Sequence, residues 1–182
     1  VMLVDDHRIV REGLRAMLAA QPDIEVVGEA GDGPEAIELA HRIRAEVVVM
    51  DFELPGMDGL KVSQRILADH ADTRIVILSA SVDRSRIDDA LRAGIAGYVL
   101  KLNASDELLL AIRRVTRGES FVCREVSSIL LGGYREMLSA SAKTEPVLSL
   151  REIEVLKLIA AGRNTKEAAG DLGLSVKTVE SH

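Results

Sequence analysis

Two short runs, Val47–Met50 (VVVM) and Ile75–Leu78 (IVIL), are apolar at every position. A strand with one wet face alternates apolar and polar residues. An unbroken apolar run bounded by turn residues instead suits a strand covered on both faces. Such strands belong to parallel sheets, which need a crossover segment, usually a helix, between one strand and the next. β-like runs recur at Val1–Val4, Glu25–Val27, Val47–Met50, Ile75–Leu78 and Tyr98–Leu100. Between them the apolar residues take a helical period. Val10, Leu14, Met17 and Leu18 form one stripe, and Ala36, Ile37 and Ala40 follow Gly33-Pro34, where proline suits a first helical position. Ile87 and Leu91 form a third. Leu108, Ile112 and Val115 form the last, closed by Arg117-Gly118. Five strands alternating with five helices over residues 1–118 predict an α/β, doubly wound, five-stranded parallel sheet.

The rhythm then changes. Residues 119–131 (ESFVCREVSSILL) suit one short helix, and 132–147 (GGYREMLSASAKTEPV) are small and polar, so 119–148 reads as a linker. From Ser149 the pattern is purely helical. Ser149-Leu150-Arg151-Glu152 fits a capping box, Val155, Leu156 and Ile159 give an apolar face, and Gly162 is a stop. Thr165 caps a second helix at 166–172, Gly173-Leu174 turns, and Ser175 caps a third from Val176. Residues 149–182 are therefore a small all-α helix-turn-helix domain.

Aromatics are 2% of the 182 residues, so the core is aliphatic. The one cysteine, Cys123, cannot form an internal disulfide, which points to a reducing compartment and a cytoplasmic location. No apolar run approaches the roughly 20 residues of a membrane span, and no signal peptide is visible. Both ends read as cropped from a longer chain. Residues 1–118 carry 15 basic and 20 acidic side chains, and 149–182 carry five of each. Charge therefore argues against general nucleic-acid binding and leaves room for a local basic face.

Asp5 and Asp6 follow the first strand, Asp51 the third, Ser79 the fourth and Lys101 the fifth. In an open parallel sheet these positions share one edge, where ligands bind. Three carboxylates together suit Mg²⁺, an opposed ammonium can hold a phosphoryl oxygen, and a carboxylate can become an aspartyl phosphate. Asp58 reads as a helix cap, and His7 as a structural or solvated residue in preference to a ligand.

The set Asp5-Asp6, Asp51 with LPGMDG behind it, Ser79-Ala80 and GYVLK ending at Lys101 resembles the receiver domain of bacterial response regulators, a flavodoxin-like fold. The stretch LSLREIEVLKLIAAGRNTKEAAGDLGLSVKTVESH resembles a LuxR-type helix-turn-helix, and the pair is similar to the NarL/FixJ family. The resemblance implies that Asp51 accepts phosphate from a histidine kinase, and that Asp5, Asp6, Asp51 and the Glu53 backbone carbonyl hold Mg²⁺. It makes Lys101 the partner of the acyl phosphate, Ser79 a donor to it, and Tyr98 the switch aromatic that moves inward as Ser79 shifts. It implies regulation of transcription by DNA binding, with a homodimer as the active form and no membrane partner. Lys177, Thr178 and Glu180 would face DNA, with Ser181 and His182 near backbone or bases and Val179 in the core. Glu180 either accepts from a base or orients a neighbour. Lys166 and Arg163 are candidate phosphate contacts. Two residues depart from the pattern: Leu102, where many receivers carry proline, and Glu53, at a position often smaller or polar.

Two rival classes are weaker. A phosphohydrolase of the haloacid dehalogenase type needs a second Asp two places after the first, where Glu53 stands. An interaction-only regulator does not need the complete acidic set.

Overall fold

The computed structural model describes residues 1–143, 157–158, 163 and 165–172. The strands are β1 (Met2–Val4), β2 (Gly28–Ala30), β3 (Val47–Asp51), β4 (Arg74–Ser79), β5 (Gly97–Leu100) and β6 (Phe121–Val122). The helices are α1 (Arg8–Ala19), α2 (Gly33–Ile43), α3 (Gly59–Asp69), α4 (Arg84–Arg92), α5 (Ala104–Thr116), α6 (Arg124–Lys143) and α7 (Thr165–Leu172), with a short 3-10 turn at Lys101–Asn103. The sheet runs β2-β1-β3-β4-β5-β6, parallel throughout.

Both faces are covered, as the unbroken apolar runs require. Val48, Met50, Ile75 and Ile77 pack on one side with Ala36 and Ala40 of α2, Val62 and Ile66 of α3, and Ile87 of α4. Val47, Val49, Val76 and Leu78 pack on the other with Leu14 and Leu18 of α1 and Leu108, Ile112 and Val115 of α5. Each such buried aliphatic side chain is worth about 1.5–3 kcal/mol.

Three features differ from the expectation. The second strand is Gly28–Ala30 and not Glu25–Val27, paired through Met2↔Gly28 and Val4↔Ala30. Ile24 and Val26 are apolar because they pack against the α1–α5 layer. The second difference is a sixth strand, β6, beside β5 (Gly97↔Phe121, Tyr98↔Val122). Two residues are too few for a period-two signal. The third is α6, which continues through Gly132-Gly133 where a linker was read. Val126, Ile129 and Leu130 seat its first half on the core, which offsets the glycines' weak helix propensity.

The chain divides into two compact units, Val1–Gly133 and Tyr134–His182. In the second, Ala168 and Ala169 of α7 are buried, with Leu158 and Leu172 against them. α7 matches the expected second helix within a residue. The capping box at Ser149, the stripe Val155, Leu156 and Ile159, Gly162 and the third helix from Val176 lie outside the described residues. Among the described residues, no helix is long and apolar enough to cross a membrane.

Candidate functional site at the carboxyl edge of the sheet

β1 and β3 deliver Asp5 and Asp51 to the same edge, each almost fully buried at 1% and 2% exposure. The loop backbone fixes both. Asp5 Oδ1 accepts the His7 amide at 2.8 Å, and the Arg11 guanidinium holds the Asp5 carbonyl. Asp51 Oδ1 accepts the Glu53 amide at 3.1 Å. The chain then turns through Gly56, whose φ of 76° is left-handed, to Asp58, which caps α3 by accepting from Leu60. Gly59 has to be glycine, because a Cβ there would sit 1.9 Å from the Asp51 carbonyl oxygen. The LPGMDG turn is thus folded directly against Asp51.

Lys101, at the end of β5, reaches across with its ammonium 2.7 Å from Asp51 Oδ2 and 2.8 Å from Asp5 Oδ2. The first contact is a hydrogen bond. The second is a charge contact off the hydrogen-bond direction, and it leaves Asp5 Oδ2 buried without a hydrogen-bond partner. Two carboxylates share one cation. Burial pushes the Asp51 carboxyl up; Lys101 opposes that, and the Asp5 charge adds to it. For Lys101 the largest single influence, burial, acts downward, but the contacts with Asp5 and Asp51 together hold the ammonium above its ordinary value. Candidate ligand atoms of Asp5, Asp6, His7 and Asp51 lie within 4.8 Å of one another. His7 is mostly exposed, with Nδ1 2.7 Å from Asp6 Oδ1.

Ser79 is buried at the end of β4, but its hydroxyl donates to the Ser81 carbonyl at 2.9 Å and accepts the Ser81 amide. Tyr98 is inward at 2% exposure while Ser79 is engaged this way. Among the described residues the Tyr98 hydroxyl finds no well-aligned hydrogen-bond partner, although the Ser79 hydroxyl lies close to it; burial pushes the phenol up, and Ser79 partly opposes that. Glu53 sits at the rim. Its side chain leaves the pocket and pairs with Arg86 of α4 at 2.8 Å, and that guanidinium lies 4.9 Å from the Phe52 ring centre. Leu102 is 91% exposed in the 3-10 turn after Lys101, and the described residues contain no cis peptide.

Lys166 lies on the exposed side of α7, and Arg163 is 3.6 Å from Asp171. Lys177, Thr178, Val179, Glu180, Ser181 and His182 lie outside the described residues. Sequence reasoning missed Arg11, Arg84 and Arg86. Arg84 reaches the Ile129 carbonyl of α6 at 3.4 Å, a partner 45 residues away that no local pattern could reveal.

Residues 1–113 match the response regulator receiver domain, and residues 146–182 match the bacterial regulatory proteins of the luxR family. The transcriptional regulatory protein LiaR of Bacillus subtilis is 38% identical over 182 residues, all of this chain and 86% of that protein. A LuxR-family two-component response regulator from Aurantimonas sp. superposes with TM-score 0.70 at 34% identity, over 73% of this chain and 95% of that one. A complex of the response regulator RcsB with DNA superposes with TM-score 0.67 at 30% identity, over 99% of this chain and 85% of that one.

Proposed function

Because this chain belongs to the response regulators that join a receiver domain to a LuxR-type DNA-binding domain and regulate transcription, we propose that Asp51 is its phosphoacceptor. A carboxylate oxygen of Asp51 attacks the phosphorus of a phosphohistidine on a partner kinase. The N–P bond breaks, the imidazole leaves, and an acyl phosphate forms. Asp5, Asp6, Asp51 and the Glu53 carbonyl would hold Mg²⁺. The fit rests on clustered oxygen donors and on the buried Asp5 Oδ2, which among the described residues has the charge contact with Lys101 but no well-aligned hydrogen bond. When bound, the ion supplies positive charge against the phosphoryl oxygens.

The chain's own residues do the rest. Lys101 already bridges Asp5 and Asp51 and can follow the new charge of about −1.5 to −2 onto a phosphoryl oxygen. Ser79 can exchange the Ser81 carbonyl for the same group, moving the loop that leads into α4. Tyr98 lies on the neighbouring strand β5, paired with Ile77 of β4. The receiver also catalyses its own dephosphorylation. The altered face favours homodimers on paired DNA half-sites, with Lys166 and the segment Lys177–His182 toward the DNA.

One observation carries the reading: a single ammonium holds two buried carboxylates at the open edge of a parallel sheet. The test is beryllofluoride or acetyl phosphate labelling with and without Mg²⁺. Mg²⁺-dependent modification that disappears in Asp51→Asn is expected. Modification that persists in that variant would sink the assignment.

A further inference from the structure

At the opposite end of the sheet, α2 and α3 finish side by side, and each places a histidine at its end. His41 lies in the last turn of α2, and His70 is the residue that closes α3, donating its amide to Ile66. His41 Nδ1 and His70 Nε2 are 3.2 Å apart, with ring centres 5.1 Å apart and planes tilted by 59°. The other nitrogen of His41, Nε2, faces Asp69 Oδ2 at 3.6 Å. Nothing in the phosphoryl chemistry uses these residues.

We propose that His41 and His70 form a binding site for a divalent transition metal ion, Zn²⁺ in the first instance, with Asp69 as the residue that orients His41. Three features converge. First, two nitrogens about 2.0–2.1 Å from one Zn²⁺ at a tetrahedral angle stand about 3.3–3.4 Å apart, close to the observed separation. Second, Asp69 Oδ2 faces the distal nitrogen of His41 at 3.6 Å, outside hydrogen-bond length but on the side from which a carboxylate orients a metal-binding histidine once it closes in. Asp69 shares this task with an ion pair to Arg65 at 3.6 Å. Third, both histidines stand at helix C-termini, where the ends of the backbone dipoles favour a cation.

An imidazole-to-imidazole hydrogen bond would place the same atoms at the same distance, and it is the outcome to test against. In the hydrogen bond one nitrogen keeps its proton. In the metal site both lone pairs point to one centre. His70, though not His41, also borders a groove of about 480 Å³ with Asp69 and Asp72, so water can reach the pair from the His70 side. The ion would tie the ends of α2 and α3 together on the side of the domain away from Asp51.

The experiment is a calorimetric titration of the whole protein with Zn²⁺ in the presence of excess Mg²⁺. One equivalent at micromolar affinity is expected, weakened at least tenfold in His41→Gln and in His70→Gln, and about tenfold in Asp69→Asn. Asp51→Asn, His7→Gln and Cys123→Ser should bind as the wild type does, which separates this site from the acidic pocket and from the Glu107–Cys123–Glu125 cluster. The proposal is overturned by absence of binding, by unchanged affinity in both histidine-pair variants, or by a loss that maps to His7, Asp51 or Cys123. Unaltered Zn²⁺ affinity together with a lower melting temperature in His41→Gln would assign the pair to a hydrogen bond alone.

Discussion

Asp51 is held in tension by its neighbours. It is buried, it lies near Asp5, and the two carboxylates divide one ammonium between them. Its carboxyl is raised, so the folded chain keeps the Asp51 proton to higher pH than the unfolded chain does. Stability therefore falls as pH climbs from the ordinary 3.8 through the raised value, and the whole penalty is present above it. Asp51→Asn is expected to raise the urea midpoint at neutral pH and to flatten this acid limb. Mg²⁺ should stabilise the wild type and leave the variant unchanged; a lower midpoint for the variant would refute the account. Lys101→Ala does the opposite. It strands two carboxylates and should cost about 3 kcal/mol, the lower part of the range for breaking a buried pair, since the lysine is partly exposed. At the rim, the Glu53–Arg86 pair is exposed and contributes about 0–1 kcal/mol to stability. Its effect belongs to charge near the proposed phosphoacceptor, Asp51. Arg86→Ala leaves Glu53 unopposed and should slow acetyl phosphate labelling severalfold, while Glu53→Ala in that background restores the rate. Equal rates in all three proteins would remove Glu53 from any part in the chemistry.

Among the elements, glycines at similar-looking positions have opposite roles. Gly59 begins α3 against the Asp51 carbonyl, a backbone atom that cannot move aside. Gly132 lies within α6 with open space around it. Gly59→Ala should cost upward of about 2 kcal/mol, as overpacking does, and Gly132→Ala should gain up to about 1 kcal/mol from helix propensity. Chemical denaturation of both variants checks the contrast. Gly59 stood in plain view in the sequence within LPGMDG, yet only the fold shows the carbonyl it avoids. The same limit explains the other differences. β3 and β4 are legible because double burial writes itself as Val47–Met50 and Ile75–Leu78, and β1 and β5 as the shorter apolar runs Val1–Val4 and Tyr98–Leu100. β2 was displaced because Ile24 and Val26 are apolar for packing and not for pairing. β6 escapes the sequence because two residues carry no period, and the short helix read within 119–131 is only the first part of α6, because Gly132-Gly133 reads as a break unless the receiver surface beneath is known. The convergence of Asp5, Asp51 and Lys101 on one edge is legible from their strand-end positions. Arg11, Arg84 and Arg86 are not, since their partners are brought to them by the fold.

On the scale of the whole molecule, the proposed phosphoryl pocket lies at one edge of the sheet, and α6 carries the chain out of the first compact unit. A signal from Asp51 can leave in two ways: α6 undocks, or it shifts while staying docked. Magnitudes separate them. Undocking would expose Cys123, Val126, Ile129 and Leu130, which sit on the core, and burial of each aliphatic among them is worth about 1.5–3 kcal/mol. Coupling free energies in allosteric proteins are about 1–3 kcal/mol in total. A phosphoryl group on Asp51 is therefore expected to leave α6 docked, and the predicted route is a shift. Arg84, at the start of α4 and in contact with the Ile129 carbonyl, is placed to convey it. Cys123 reports which route is taken. It is fully buried, its amide is bonded to the Tyr98 carbonyl, and burial pushes its thiol up, so it is slow to react while α6 is seated. With beryllofluoride and Mg²⁺ bound, its labelling by a thiol reagent should change by less than about threefold. Arg84→Ala should leave that rate and Asp51 modification intact while lowering the gain in DNA affinity on activation. A tenfold rise in Cys123 labelling on activation would mean that α6 is released, and that its core contacts are weaker than their burial implies.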